Sequence, residues 1–578
     1  MQAIQDFIPT SKVVPSGVNA ANWDALEPLY RELVNRPVTS AHDLEDLIRD
    51  RSDVDAAAAE AASMLYINMT CHTDNAAHNK AYLDHIQNVQ PNLKDVGFEL
   101  DKKITASPFV SQLDSKRYHV YLRNMQAGVE LFRPENVALE TQIAELDQEY
   151  SQICGAMTVM FRGEERTIPQ MSPHQENTDR AVREEAWRLV AERRRQDKDR
   201  IGDIFDQMVK LRHQIALNAG FANFRDFMFK AKRRFEYTPA DCDQFALGVE
   251  QVCVPAMRRL HAERAKSLGI PKLRPWDLHV DVKGRSALKP FFTADEMVQR
   301  TSRLFHRMEP SLGQMFDTLR SGGCLDLESR KGKAPGGYQA NRDWIRKPFI
   351  FMNAAGIQRD VETIIHEAGH AFHALLSRHD PLLAYRADIP LEFAEVASMG
   401  MELTAHPFLD EFYPKETAAS NGEASRAQRV HLESITTLLP VVAAVDQFQH
   451  WMYTNPNHTR AEREAYWVTL NDRFGGSVDW TGMEDLLAIS WHRILHLFGV
   501  PFYFIEYGIA QLGAVQLWLN YLNNPSKAIA SYISALTEGG SLPIPDLYTA
   551  AGLRFEMGPA IITRLWTAIE GELKKLPA

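Results

Sequence analysis

A chain of 578 residues, 45% of them hydrophobic, has material for large buried cores and for roughly two to four domains. Its 64 basic and 75 acidic side chains leave a formal net charge of −11, which favours solubility and lacks the basic excess of a nucleic-acid-binding surface. Five scattered cysteines, Cys71, Cys154, Cys242, Cys253 and Cys324, have no C-x-x-C spacing, so they give neither a disulfide framework nor a cysteine-rich zinc site and fit a reducing, cytoplasmic setting.

Taken in order, the chain starts without the basic stretch and apolar core of a secretory signal. Residues Ala56 to Ala62 have strong helix propensity, which Met64, Leu65 and Ile67 extend on one face. Charged and apolar residues alternate at helical spacing from Val137 to Tyr150 and from Arg180 to Ala216, as in solvated helix faces. Pro271 to Pro275, Ser321 to Gly323 and Lys331 to Gly337 read as loops. Pro348 to Met352 follows as a short strand, and Asn353 to Gly356 as a turn into the next helix. The apolar run Leu438 to Val445 contains Pro440 and is far shorter than the ~20 residues of a membrane span, so it reads as a buried helix segment. No internal repeat is visible. Soft boundaries divide the chain into a helical amino-terminal lobe (1–140), a helical middle region (141–345) and a catalytic region (346–578).

The chemistry is concentrated in His366-Glu367-Ala368-Gly369-His370. Asp360 is placed to cap this helix, with acidic residues in its first turn matching the helix dipole. His366 and His370, one turn apart, project from one face and can share a metal ion. Glu367, rotated by about 100°, stands beside the ion, where it can take a proton from water. The metzincin spacing requires Gly at 373 and His at 376; His373 and Leu376 exclude it. A catalytic zinc site needs a third protein ligand, and the segment Pro390 to Glu402, opened by a proline suited to a first helical turn, supplies carboxylates. Glu395 is the preferred ligand. Glu392 on the same face is its rival, and Glu402 is placed to orient a ligand histidine. His373, about 10 Å along the helix axis from His366, reads as a packing or supporting histidine.

Around this motif the chain resembles the oligoendopeptidase F and thimet oligopeptidase family of zinc peptidases, nearer the bacterial oligoendopeptidase branch. The resemblance rests on Arg274-Pro275-Trp276-Asp277-Leu278, the run Arg330 to Tyr338, Pro348-Phe349-Ile350-Phe351-Met352-Asn353, and the stretch His366 to His373. Downstream it continues through Phe448 to Tyr453, Pro501 to Tyr507 and Gly539-Gly540-Ser541. It covers approximately residues 210 to 555. It implies a mainly α, two-lobed, clam-like gluzincin with a deep central channel, a very small sheet near the active site, and one Zn2+ per chain at the channel floor. It also implies Glu395 as the glutamate ligand, and His496, Tyr503 and Tyr507 near the scissile carbonyl as donors to the oxyanion. Phe498 and Ile505 stand where many relatives have tyrosines, and Gly499 marks a loop able to move over substrate. The strand at 348–352 is expected to offer its backbone edge to an extended peptide.

The expected activity is cleavage of internal bonds in short, unfolded oligopeptides, with no nucleic-acid or membrane partner; the oligomeric state stays open. Two alternatives remain at this point, a related gluzincin exopeptidase of the dipeptidyl carboxypeptidase kind and a catalytically silent peptide-binding scaffold.

Overall fold

The computed structural model describes residues 7–577 apart from 331, 332, 335, 355 and 414–421; the parts of the 331–337 and 353–356 turns that fall on these positions lie outside the described residues. Helices run from Trp23–Asn35 to Pro559–Leu573. The only strands among the described residues form an antiparallel hairpin, Thr158–Phe161 with Glu164–Thr167, and one three-stranded sheet.

Local chemistry explains the main elements. The alanine-rich run lies inside the helix Ala41–Cys71, where Ser40 caps the amino terminus by accepting from the Asp43 N–H. The charged stretch expected as one element is two, Arg180–Gln196 and Lys198–Asn218, interrupted at Asp197. Aspartate is a weak helix former because its side chain competes for local partners, and here it pairs with Arg193. Leu438 to Val445 lies within the helix Glu423–Thr454, which continues through Pro440 and buries Leu439, Val442, Ala443 and Val445.

The small sheet corrects one expectation. Lys347–Ala354, which contains the 348–352 segment, is its central strand, parallel to Leu325–Glu328 on one side and antiparallel to Tyr338–Arg342 on the other. Its backbone edges are both occupied, and the outer edges of the sheet belong to Leu325–Glu328 and Tyr338–Arg342. Ile350 donates its N–H to Cys324 at 2.8 Å, so the backbone groups of Phe349 and Phe351 face Tyr338–Arg342. With Tyr338 opposite Phe351 and Ala340 opposite Phe349, Gln339 and Asn341 turn their N–H and C=O groups outward. Tyr338 stacks on Phe351 with ring centroids 4.8 Å apart and its hydroxyl lies 2.6 Å from that of Thr70, which ties the sheet to Ala41–Cys71.

Two large cores hold these elements. One gathers residues from Ile67 to Leu573, including the central strand and both helices of the site described below. The other is built mainly from residues between Val14 and Met125 and takes in Leu382 and Tyr385. A two-bond pair from Arg117 to Asp380, at 2.7 and 2.6 Å, reinforces that junction. No helix among the described residues is long and apolar enough to cross a membrane.

Candidate active site

The motif lies in the helix Gln358–Ser377. Asp360 is not its N-cap. It occupies the third helical position, from which its carboxylate accepts the Ile357 N–H at 3.0 Å, because the helix begins three residues earlier than an N-cap at Asp360 implies. Val361, Ile364, Ile365, Ala368, Ala371, Phe372 and Leu375 are buried, and they fix the rotation of the helix. The glutamate helix is Leu391–Thr404, with Pro390 just ahead of its first turn. These helices touch at Gly369. A Cβ there would lie 2.6 Å from the Ala397 carbonyl oxygen and 2.7 Å from the Ser398 Cα, so only glycine permits the approach.

That crossing brings His366, His370 and Glu395 together. One donor atom from each lies within 4.8 Å of the other two. The Nε2 atoms of His366 and His370 stand 3.4 and 3.7 Å from Oε2 of Glu395. The set fits a zinc ion by donor type, two imidazole nitrogens and a carboxylate oxygen. It also fits by charge. Against the effect of burial, the hydrogen bond with Glu402 and the charges of Glu402, Glu395 and Glu367 push His366 up to about 9, so the site favours a cation at that ring. His370 is held down to about 4 by burial and is a neutral, lone-pair-bearing imidazole. Ser398 donates to Oε2 of Glu395 at 3.0 Å and Tyr503 to Oε1 at 3.1 Å.

The other acidic residues of the glutamate helix have different neighbours. Glu392 accepts the Tyr237 hydroxyl at 2.7 Å and is not part of the cluster. Glu402 lies 2.7 Å from Nδ1 of His366 and 3.2 Å from Nε2 of His431. His373 points into the core. Its ring meets Phe393 edge-on at 5.8 Å, neither nitrogen has a protein partner among the described residues, and burial pushes it down to about 3.

Glu367 is buried beside the cluster. Burial pushes its carboxyl up to about 7; the nearby His366 and the Gln339 N–H oppose the shift, and the Glu395 and Glu402 charges add to it. Glu367 therefore touches the outward-facing backbone of the outer strand Tyr338–Arg342. Facing it across the cluster is the start of the helix Phe504–Asn523. Tyr503 and Tyr507 have ring centroids 4.8 Å apart, and the Tyr507 hydroxyl lies 3.5 Å from Nε2 of His496. Burial raises both phenols, Tyr507 to about 12, so they remain donors, and it lowers His496 toward the neutral imidazole. Phe498 and Ile505 are fully buried, Phe498 stacked on Tyr150 at 3.8 Å. Gly499 ends the short helix Leu495–Gly499, where a Cβ would stand 3.2 Å from the Asp147 carboxylate.

Several supporting residues escape sequence reasoning. Phe502, immediately before Tyr503, is fully buried with φ of 64°, a left-handed conformation that costs a bulky residue on the order of 1–3 kcal/mol. Its N–H is held by Oε1 of Gln449 at 2.5 Å and its carbonyl by Arg234, which also pairs with Glu506 at 2.9 Å. Ser398 also went unread, although its place three residues beyond Glu395 on the same helix face was a signal that could have found it. The rest depend on contacts between distant segments.

A mainly helical shell in which a glutamate-bearing helix crosses an H-E-x-x-H helix is the gluzincin arrangement. The chain belongs to Peptidase family M3, whose description matches residues 174–565, and the Peptidase M3 N-terminal domain matches residues 18–132. It is 23% identical over 384 residues to an oligoendopeptidase F homolog of Borreliella burgdorferi, covering 63% of this chain and 60% of that protein. Over 372 residues it is 20% identical to the group B oligopeptidase PepB of Streptococcus agalactiae, covering 63% of this chain and 59% of that protein. The matched region thus spans about 60% of the length of these curated relatives. Among solved structures, PZ peptidase A with inhibitor 2 superposes with a TM-score of 0.89 and 28% identity, over 96% of this chain and 98% of that one.

Proposed function

We propose that the chain is a zinc-dependent endopeptidase that hydrolyses internal bonds of short, unfolded oligopeptides, with His366, His370 and Glu395 as metal ligands and Glu367 as general base. The observation that carries this reading is the meeting of the three donor atoms within 4.8 Å, beside a buried Glu367 held near neutrality. When bound, the zinc ion supplies Lewis acidity, polarising a carbonyl and acidifying water. Glu367, with its carboxyl pushed to about 7, takes a proton from water and returns it to the departing amine. Tyr507, with His496 behind it, donates toward the developing oxyanion, and Tyr503 braces Glu395.

An extended peptide pairs with the outward Gln339 C=O and the N–H and C=O groups of Asn341, which bind main chain without regard to side chains, while the Gln339 N–H is turned to Glu367. The family resemblance to a closed clam limits substrates to unfolded oligopeptides. No disulfide joins any two of the five cysteines, in keeping with a reducing, cytoplasmic location.

The test is hydrolysis of a quenched-fluorescent peptide blocked at both ends, by wild type and by Glu367→Gln with zinc content measured in each. Internal cleavage by wild type and a kcat lowered about 10²–10⁴-fold in the zinc-loaded variant are expected. Undiminished turnover in that variant would sink the mechanism. Cleavage only of peptides with a free end would make the chain an exopeptidase, and binding without cleavage would make it a silent scaffold.

A further inference from the structure

Away from the cleft the structure gathers a second set of metal-ligating side chains. Cys242 lies on the helix Pro239–Gly248, and Asp446 and His450 lie one turn apart on Glu423–Thr454. One donor atom from each stands within 4.8 Å of the other two. All three residues are buried, with 0, 1 and 6% of their surface exposed.

The Asp446 carboxylate oxygens and Nε2 of His450 lack hydrogen-bond partners among the described residues, although that nitrogen is 3.4 Å from Oδ2 of Asp446. Arg234 influences Asp446 only through space. Its Nη2 is committed to Phe502 and Glu506, and its Nε and Nη1 find no acceptor. An ionised carboxylate so placed costs several kcal/mol unless paired. Burial accordingly pushes Asp446 up to about 7, the Cys242 thiol well above its ordinary range, and His450 down to about 4.

We propose that Cys242, Asp446 and His450 form a buried structural zinc site, distinct from the cleft cluster. A thiolate, a carboxylate and a neutral imidazole around a divalent cation sum to zero charge, which removes the penalty of burying Asp446 alone. The thiol proton and any carboxyl proton pass to solvent as the ion binds. Asp446 offers both oxygens, so bidentate binding completes four-coordination without an open position, the mark of a structural rather than a catalytic site. A divalent metal is the ligand class. Zinc is favoured by the mixed sulfur, nitrogen and oxygen donors.

The location gives the ion a task. The His450 ring meets Phe502 edge-on at 5.7 Å, and the adjacent Gln449 holds the Phe502 N–H. An ion joining the two helices at His450 fixes the floor under the strained turn that leads to Tyr503 and Tyr507.

Expression of the full chain in cobalt-supplemented medium tests this independently of the cleft. The cleft cluster has no thiolate, and Cys242 is the only cysteine in a candidate ligand group among the described residues, so a thiolate-to-cobalt charge-transfer absorption lost in Cys242→Ser reports on this site. The band is expected in wild type and in the His366→Ala/His370→Ala double variant, and is expected to vanish in Cys242→Ser. The zinc-grown double variant should retain about one equivalent of metal against about two in wild type. A double variant with no bound metal and no charge-transfer band would overturn the proposal and leave Asp446 protonated instead. That result needs only the double variant, so it holds even if Cys242→Ser fails to fold. If the cleft reading alone were wrong, the band would persist.

Discussion

Nδ1 of His366 lies 2.7 Å from Oε1 of Glu402, and this contact sets which nitrogen of the ring faces the cleft. With Nδ1–H donated backward, Nε2 is left toward Glu395. Glu402 is itself held from behind. Its other oxygen is 3.2 Å from Nε2 of His431, whose Nδ1 is 2.8 Å from Nε2 of His406. Although burial alone would raise it, these hydrogen bonds keep Glu402 well below the usual carboxylate range. Supports of this kind are worth about 10–100-fold in metal affinity. Glu402→Ala is expected to weaken zinc retention by that factor in a chelator competition, while His373→Ala, which removes a core ring outside the cluster, lowers stability without that loss. Equal zinc affinity in wild type and Glu402→Ala would remove Glu402 from this role.

Tyr503 and Tyr507 are separable by what their hydroxyls touch. Tyr503 donates to Glu395, a proposed ligand, whereas the Tyr507 hydroxyl meets the Tyr503 hydroxyl and lies 3.5 Å from His496, with no bond to a proposed ligand. Tyr507→Phe is therefore expected to lower kcat about 10²–10³-fold with little change in KM, as for removal of one oxyanion donor. Tyr503→Phe is expected to cost less in kcat and to loosen metal binding. Steady-state kinetics paired with zinc analysis checks both, and the reverse ranking would exchange their roles.

The helix carrying His366 and His370 was legible because helical spacing is a local property, and so were the loops at Pro271 to Pro275 and the helix through Pro440. The choice between Glu395 and Glu392 was not settled by periodicity, since residues three apart share a face. It depends on Tyr237, far away in the chain, which takes Glu392 for itself. Strand pairing is non-local in the same way. The apolar 348–352 segment was recognisable as a strand, but Tyr338–Arg342, which covers one of its edges and presents an outer one, is too polar to stand out. Phe502 gave no signal at all. A left-handed phenylalanine is imposed by Gln449 and Arg234, and nothing in its neighbours along the chain marks it.

Glu392 carries a pH signature of its own. It is buried against Tyr237, Arg234, Glu506 and the Tyr548 hydroxyl that bonds its carbonyl, and burial followed by the Glu506 charge pushes it up to about 7. A carboxyl raised in the folded state contributes its full stability below the unfolded value of about 4.5 and loses it as pH rises through 7. Glu392→Gln keeps an oxygen for the Tyr237 hydroxyl and cannot ionise. The variant is expected to gain on wild type between pH 4.5 and pH 7, by on the order of 2 kcal/mol at the upper end. Denaturant unfolding across that range measures the difference, and parallel stability curves for the two proteins would contradict it.

Gln449 links stability to catalysis through one hydrogen bond. Its Oε1 accepts the N–H of Phe502 in a fully buried, left-handed turn, and the next residue is Tyr503. Gln449→Ala leaves that N–H without a partner, at a cost of about 1–3 kcal/mol. It also removes the contact that keeps the turn from relaxing toward an ordinary φ. Relaxation shifts the entry of the Phe504–Asn523 helix and with it both tyrosines, and a displacement of about 1 Å near reacting groups costs on the order of 10²-fold in rate. The expected result is a lower Tm together with a kcat reduced about 10–100-fold, while zinc at His366, His370 and Glu395 stays near the wild-type level. A lower Tm with unchanged kcat would mean that the turn stabilises the fold without aligning Tyr503 and Tyr507.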